Sequence, residues 1–241
     1  MIRNLKVLIA AAMALMAFGA LSATAHAAEE KFHCSVEPCR ATLAPDEAVG
    51  TTTAHHVFVL KGKKNGVEAS ASFTCNQLTG EATSSTKTTS ELTFTNLVYK
   101  NSAGEVKCKV GAAESVVVNF TSCDYNFKST GGSTASAQVG LLCTTAGDGI
   151  DINIAGVLCY KVTPFTATGL GYKTVGTEAL KNRLVTATAN VTVPAASVDA
   201  PGKGNANCPL DEVSSAVYTT GNTLVKAETD PGGVAAEAWF E

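Results

Sequence analysis

Apolar and polar residues alternate over much of this chain, and the alternation predicts β-strands. In Glu91–Tyr99, for example, Leu92, Phe94 and Val98 share one parity, with threonines between them. Successive side chains of a strand point to opposite faces of its sheet, so a segment of this kind is half buried.

The same pattern predicts further strands along the chain. They fall at 55–60, 71–78, 137–143, 150–154, 156–162, 185–193, 216–218, 224–227 and 234–240. Glycine-containing turns such as Asn65-Gly66, Gly131-Gly132 and Asp148-Gly149 separate several of them. Many short strands with turns between them indicate an all-β fold: an antiparallel β-sandwich or a barrel-like variant of one.

Residues 115–128 carry a shift of phase. Their apolar positions are even-numbered up to Phe120 and odd-numbered from Cys123 onward. A one-residue β-bulge at Thr121 or Ser122 would keep both halves facing the core. The pattern therefore predicts one bulged strand with Phe120 and Cys123 both largely buried, and it predicts that the chain tolerates deletion of Ser122.

The amino-terminal residues have the pattern of a secretory signal peptide. Arg3 and Lys6 precede an almost wholly apolar run, 7–21, and Ala25-His26-Ala27 supplies small residues around a cleavage point. The apolar run is shorter than the roughly 20 residues of a transmembrane helix. We therefore expect a cleaved leader helix and not a membrane anchor.

Cleavage after Ala27 divides the chain into a signal peptide, 1–27, and a single secreted domain, 28–241. The whole sequence has a formal charge of −3, and loss of the basic leader makes the mature chain more acidic. An acidic domain lacks the basic surface that nucleic acid requires, and no later apolar run has membrane-spanning length. We expect a protein of the cell exterior or envelope, with no nucleic-acid partner and no stable membrane insertion.

Eight cysteines follow the predicted cleavage site, and an even number in a secreted chain indicates four disulfides. They are Cys34, Cys39, Cys75, Cys108, Cys123, Cys143, Cys159 and Cys208. Eight cysteines allow 105 pairings. Proximity in sequence favours Cys34–Cys39, and a predicted hairpin between them favours Cys143–Cys159. Cys75–Cys108 fits the strand pattern, which leaves Cys123–Cys208 by elimination.

Three histidines, His33, His55 and His56, remain after cleavage. His55 and His56 are adjacent in a predicted strand, so they face opposite sides and are poorly placed to bind one metal. The chain has no G-x-S-x-G motif to place a nucleophilic serine. Since geometry and not residue type defines a catalytic site, no catalytic residue is assigned.

Two motifs suggest metal ions, and both have a simpler interpretation. Asp148 and Asp151 could offer carboxylates to calcium, but calcium takes six to eight oxygens, and an Asp-Gly turn accounts for the pair. His33 beside Cys34 and Cys39 lacks the four ligands that zinc requires, so an oxidised cysteine pair is favoured. No metal or cofactor is therefore assigned.

Two sequons and the threonine-rich faces raise questions of modification and ligand binding. Asn119 and Asn190 each begin an N-x-T sequon inside a predicted strand. The threonine-rich faces suggest binding to ice or sugar, or the solvated face of a sandwich, which strand propensity already favours. With a single tryptophan and five tyrosines, the sequence provides no obvious platform for stacking sugars.

Several segments together resemble a family of secreted, threonine- and cysteine-rich β proteins that occur in many copies in some soil bacteria. They are Phe32-His-Cys34, Pro38-Cys39, His55-His56-Val57-Phe58, Phe73-Thr-Cys75-Asn76, Leu92-Thr-Phe94-Thr-Asn96-Leu97, Cys123-Asp-Tyr125-Asn-Phe127 and Glu237-Ala-Trp239-Phe-Glu241. The resemblance covers nearly all of the predicted mature chain. It implies secretion, a β-rich fold and disulfides, and it transfers no activity and no functional residue.

Two hypotheses of function follow. The first is a binding or structural module of the extracellular space or envelope, which rests on the leader, the cysteines and the lack of a recognisable catalytic set. The alternative is a secreted hydrolase or enzyme inhibitor that uses an unrecognised site. A histidine and a carboxylate within hydrogen-bond reach in a deep pocket would favour the enzyme.

Overall fold

The predicted all-β class is confirmed by a computed structural model. The structure describes residues 31–45, 56–111, 113–129, 137–170, 172–175, 183–186, 190–197, 206–219, 223–229 and 233–240, and every regular element in them is a β-strand. Within these residues no helix has the length and apolar character needed to cross a membrane. The predicted signal peptide, 1–27, lies outside the described residues.

Two large antiparallel sheets and one small one contain all of these strands. We number the strands in chain order. The larger sheet runs β14 (Phe165–Leu170), β11 (Ala137–Cys143), β10 (Cys123–Ser129), β7 (Glu91–Lys100), β5 (Gln77–Ser84), β2 (Cys39–Pro45), β20 (Thr223–Thr229), β16 (Arg183–Thr186) and β15 (Tyr172–Val175), with β21 (Ala235–Ala236) beside β20. The second sheet runs β17 (Asn190–Val193), β19 (Glu212–Thr219), β3 (His56–Lys64), β4 (Val67–Cys75), β8 (Cys108–Val110), β9 (Ala113–Phe120), β12 (Ile150–Ile154), β13 (Val157–Val162) and β18 (Ala195–Ser197). The small sheet is β22 (Ala238–Phe240), β1 (Phe32–Cys34) and β6 (Thr88–Thr89).

The second sheet is curled almost into a barrel. Strand β18, at one of its edges, comes within 8 Å of β19, which lies next to the other edge. The fold thus combines the predicted β-sandwich with its predicted barrel-like variant, since a nearly closed sheet packs against a more open one.

Buried side chains of both large sheets form one hydrophobic cluster between them. In the second sheet, the rings of Phe58 and Phe73 stack with centroids 4.5 Å apart. In the larger sheet, Phe94 and Phe127 meet edge to face at 5.4 Å. Because these contacts bury large aromatic areas, they dominate the favourable energy of the core.

The predicted bulge at Thr121 or Ser122 is wrong, although the phase shift is real. The chain leaves the second sheet at Phe120 and enters the larger sheet at Cys123, so the segment forms two strands. Thr121 and Ser122 make the corner, where Ser122 adopts a φ of +52°. Cys123 is buried as expected, and Phe120 is half-buried. The buried positions need not stay even-numbered or odd-numbered through a corner, because the strands on either side of it belong to different sheets.

A bulge does occur in β7, where the alternation had predicted a regular strand. Burial falls on Leu97 and Tyr99 instead of Val98. The register with β5 slips at this point, and Asn96 adopts a φ of +53°. On β5, Gly80 faces the bulge, where a Cβ would lie 2.7 Å from Leu97 Cδ2. A side chain at this position would have to displace the end of Leu97 and would lie 3.1 Å from the Thr95 carbonyl oxygen, so glycine gives the bulge room.

Two other expectations concern strand ends. The predicted strand 185–193 is wrong, because β16 and β17 belong to different sheets and residues 187–189 lie outside the described residues.

The Gly131-Gly132 hairpin is confirmed by its strands, since β10 pairs with β11 from Cys123↔Cys143 onward, although the turn itself is not described.

All eight cysteines are in disulfides, as predicted, but only half of the pairing was foreseen. Cys34–Cys39 and Cys75–Cys108 are confirmed. The predicted Cys143–Cys159 and Cys123–Cys208 bonds are wrong, because the structure has Cys123–Cys143 and Cys159–Cys208. Cys123 and Cys143 lie directly opposite each other on β10 and β11, with Cα atoms 4.1 Å apart, whereas Cys159 lies on β13 of the other sheet.

Peptide mapping without reduction tests this pairing. We expect mass spectrometry to recover linked peptides for Cys123–Cys143 and Cys159–Cys208, with no free thiol. Replacing Cys123 and Cys143 together by alanine should lower the free energy of unfolding by about 3 kcal/mol, because a closed loop of this size restricts the unfolded chain. Recovery of a Cys143–Cys159 peptide would show that β11 and β13 are adjacent, contrary to the structure.

The corner at Thr121-Ser122 leads to a second prediction, which replaces the expectation that the chain tolerates deletion of Ser122. Ser122 holds a left-handed backbone conformation, and its carbonyl accepts the Thr144 N–H at 3.0 Å. Ser122→Gly should leave stability unchanged or higher, whereas Ser122→Val should cost about 1–2 kcal/mol, since a side chain is crowded at positive φ. Urea unfolding midpoints of the two variants give the comparison. Equal midpoints would contradict the strained corner.

Candidate functional site

The interior contains a chain of hydrogen-bonded polar side chains that joins the two large sheets. Tyr99 OH donates to Tyr218 OH at 3.1 Å, and the Tyr99 and Tyr125 hydroxyl oxygens are 3.3 Å apart. His56 Nδ1 lies 2.7 Å from Tyr218 OH. His56 and Tyr218 belong to the second sheet, and Tyr99 and Tyr125 to the larger one.

One arrangement of protons satisfies every bond in this chain. Each tyrosine has a single O–H, and that of Tyr99 is committed to Tyr218. Tyr125 must therefore donate to Tyr99, and Tyr218 is free to donate to His56 Nδ1. All four residues are buried, so the hydroxyls cannot reach a dissolved substrate. The network stabilises the contact between sheets.

The other candidate histidines lie elsewhere. His33 is in the small sheet, where its Nδ1 is 3.3 Å from Thr88 Oγ1 at the surface. His55 lies outside the described residues. The structure therefore separates His33 from His56 and does not bring them into one site.

The acidic pair near residue 150 is divided between a loop and a strand. Asp151 lies in β12, where its Oδ1 is 3.4 Å from Lys161 Nζ. The turn before that strand lies earlier than the predicted Asp148-Gly149, because the Asp148 N–H donates to the Thr145 carbonyl at 3.2 Å and closes it. Among the described residues, no three potential ligands cluster closely enough to hold a metal ion. Asn119 of the first sequon is exposed, and the second sequon begins in β17 at Asn190.

An apolar recess lies beside the Cys34–Cys39 disulfide, under β1. Its walls include Phe32, Leu92 and Val225, and it leaves about 20 Å³ of free space. That volume accommodates roughly one water molecule. The recess is too small for an organic ligand.

A wider polar groove crosses the outer face of the larger sheet, with a volume of about 470 Å³. We call it the β2–β5–β7 groove. It is lined by Arg40, Glu81, Ala82, Thr83, Thr93 and Thr95. Alternation along the three strands sends the five polar side chains outward, whereas Ala82, like Ala41, Leu78 and Phe94, is buried in the core.

Charge in this groove is held in a fixed arrangement. Arg40 Nε donates to Glu81 Oε2 at 3.1 Å, and Arg40 Nη2 bonds the same oxygen. Asn96 Nδ2 donates to Glu81 Oε1 at 2.5 Å. The Asn96 hydrogen bond, and then Arg40, lower the pKa of the Glu81 carboxyl. The groove therefore presents a carboxylate and a guanidinium side by side.

The ordered polar surface continues onto β10. Asn126 Nδ2 donates to Glu91 Oε1 at 2.7 Å and to Thr93 Oγ1 at 3.0 Å. Side chains on paired strands lose little freedom when they meet a ligand, since the sheet already positions them.

This groove is not evident from the sequence. The threonine-rich faces are visible in the sequence, but Arg40, Glu81 and Thr93 come together only because β2, β5 and β7 are neighbours in the sheet. The available signal was the sequence Arg-Ala-Thr at 40–42 and Glu-Ala-Thr at 81–83, where polar residues flank an inward alanine.

Comparison of the chain with protein-family models, with curated proteins and with solved structures found no match.

The buried tyrosines generate a prediction for alkaline pH. Burial raises the pKa of Tyr99, Tyr125 and Tyr218, while an unfolded tyrosine titrates near 10. The buried tyrosines contribute fully to the free energy of unfolding below the pKa of an unfolded tyrosine. This contribution is lost as the pH rises toward the raised pKa of the tyrosines in the folded protein. We expect the free energy of unfolding to fall above about pH 10, and tyrosinate absorbance to rise together with loss of β-sheet circular dichroism. Ionisation of all three tyrosines with the circular dichroism intact would refute their burial.

Proposed function

We propose that this protein is a secreted, disulfide-stabilised binding or structural module of the extracellular space or cell envelope. The observation that carries the proposal is the β2–β5–β7 groove, in which charged and hydroxyl groups are held on rigid strands and remain open to solvent. Four disulfides support the extracellular setting, because such bonds persist in oxidising compartments.

The groove favours a polar ligand. Its lining supplies a guanidinium, a carboxylate and three threonine hydroxyls, and donors and acceptors of this kind recognise groups that hydrogen-bond in both directions. Arg40 and Glu81 are each partly exposed, with side-chain accessibilities of 40% and 35%. A ligand would therefore displace water from the Arg40 and Glu81 side chains without any opening of the structure.

A binding screen of the purified mature protein against polysaccharides, peptides and lipids tests the proposal. For a ligand found in this way, Arg40→Ala and Glu81→Gln should each weaken binding by about tenfold, since each removes a charge-assisted hydrogen bond. Lys61→Ala, on the second sheet, is the matched control and should bind normally. Unchanged affinity in both groove variants would exclude this groove as the site.

The same screen addresses the alternative hydrolase. His33 is the described histidine that lies at the surface, beside Thr88. Turnover of any screened compound that disappears in His33→Ala, while folding is unchanged, would support the enzyme and contradict the binding module.

A further inference from the structure

The β3–β4 hairpin extends beyond the neighbouring strand of its sheet. Strand β4 pairs with β3 along its whole length, from Val67 to Cys75. On its other side it pairs with β8 only at Phe73 and Thr74. Among the described residues, no strand pairs with that side of Val67–Ser72. This stretch is an open sheet edge, which we call the β4 edge.

Hairpin geometry determines which backbone groups the β4 edge presents. The turn consists of Asn65 and Gly66, whose φ angles of 52° and 77° suit a two-residue type I′ turn. The residues flanking such a turn bond to each other, and bonding alternates along the ladder. The N–H and C=O groups of Glu68, Ser70 and Ser72 therefore point away from β3.

The exposed surface agrees with an open edge. Val67 is 68% exposed, and Glu68, Ser70 and Ser72 are also exposed. The inward side chains of β4, such as Ala69, are partly buried and pack against the core. The edge is thus the margin of a folded sheet.

The hairpin is also held rigidly. Asp211 accepts the Asn65 N–H at 2.7 Å and the Lys64 ammonium at 2.6 Å. These bonds fix the end of the hairpin against the segment that leads into β19. A rigid edge pairs with a partner strand at little cost in conformational entropy.

Sheet edges in soluble proteins are usually protected by lysine, proline, a bulge or an inward-pointing charge. Along Val67–Ser72 the β4 edge has no lysine, no proline and no inward-pointing charge, and Glu68 is its single charged residue; the other outward positions are serines, and the inward positions are valine and alanine. Small side chains on both faces allow close approach of another backbone. These features are those of a docking edge.

We propose that the β4 edge binds an extended peptide segment of another protein, which adds as an antiparallel strand in line with β8. Apolar side chains of the peptide would lie over Ala69 and Ala71, and a basic side chain on the other face would lie opposite Glu68. Affinity comes from the main-chain hydrogen bonds, and specificity from the alternating side chains.

The shape of the edge favours a peptide over a second copy of this chain. In an antiparallel copy centred on Ala69, the turn residue Asn65 would lie opposite Phe73. That position is already occupied by β8 through Val110. A peptide with a free end avoids this overlap, because it can stop before β8.

The experiment uses the full mature protein and the peptide acetyl-TVKVTV-amide, with binding followed by isothermal titration and by amide shifts of β4 in NMR spectra. Two peptide controls separate the contributions: a scrambled sequence, and the same sequence N-methylated on alternate residues so that its edge cannot donate. We expect the parent peptide to bind, and both controls to bind at least about tenfold more weakly.

Two protein variants and one control locate the site. Ser70→Pro removes an outward N–H without removing a bond to β3 and should weaken binding by about tenfold, whereas Ser70→Thr retains the donor and should bind normally. Glu68→Lys should weaken binding of this peptide and restore it for TVEVTV. Thermal unfolding verifies that each variant is folded.

The remaining outcomes overturn the proposal. Absence of peptide binding, or binding that is insensitive to N-methylation and to Ser70→Pro, would exclude strand addition at this edge. A dimer in sedimentation velocity that Ser70→Pro converts to monomer would identify a second copy as the occupant. Loss of peptide binding would leave the β2–β5–β7 groove and its ligand unaffected, because the groove lies on the other large sheet.

Discussion

The contact between the two large sheets depends on a chain of hydrogen bonds among four buried polar side chains. Tyr99 and Tyr125 come from one sheet, and Tyr218 and His56 from the other. A hydroxyl left unpaired there would cost about 1–3 kcal/mol. The hydrogen-bond chain is complete only when both sheets are in place. It therefore selects one relative position of the sheets, which apolar packing alone would specify less strictly.

The disulfides make this contact more important, because none of them joins the two large sheets. Cys75–Cys108 and Cys159–Cys208 lie within the second sheet and its approach to β19, and Cys123–Cys143 lies within the larger sheet. Cys34–Cys39 ties the small sheet to β2. Covalent bonds thus fasten neighbouring strands, while side-chain packing, the tyrosine chain and corners such as Thr121-Ser122 hold the layers together.

This division explains how much the sequence could predict. Alternation of apolar residues is a local property, so it revealed the all-β class and most strands. It also revealed the discontinuity between Phe120 and Cys123, but parity cannot distinguish a bulge from a corner between sheets. In β7, Val98 and Leu97 are both apolar, so the pattern could not show that Asn96 shifts the phase. Asparagine's tolerance of positive φ was the one available signal.

Pairing between distant segments was harder to predict, and the disulfides and both surface features depend on it. The β2–β5–β7 groove exists because strands distant in sequence became neighbours. The β4 edge has a comparable origin. Strand β8 spans only Cys108–Val110, and Gly111, with a φ of +59°, turns the chain back toward β9. The Cys75–Cys108 disulfide fixes β8 beside the carboxyl-terminal end of β4, so β8 ends opposite Phe73 and cannot cover the rest of that strand. The bond that secures one end of β4 therefore also leaves its other end available to a partner.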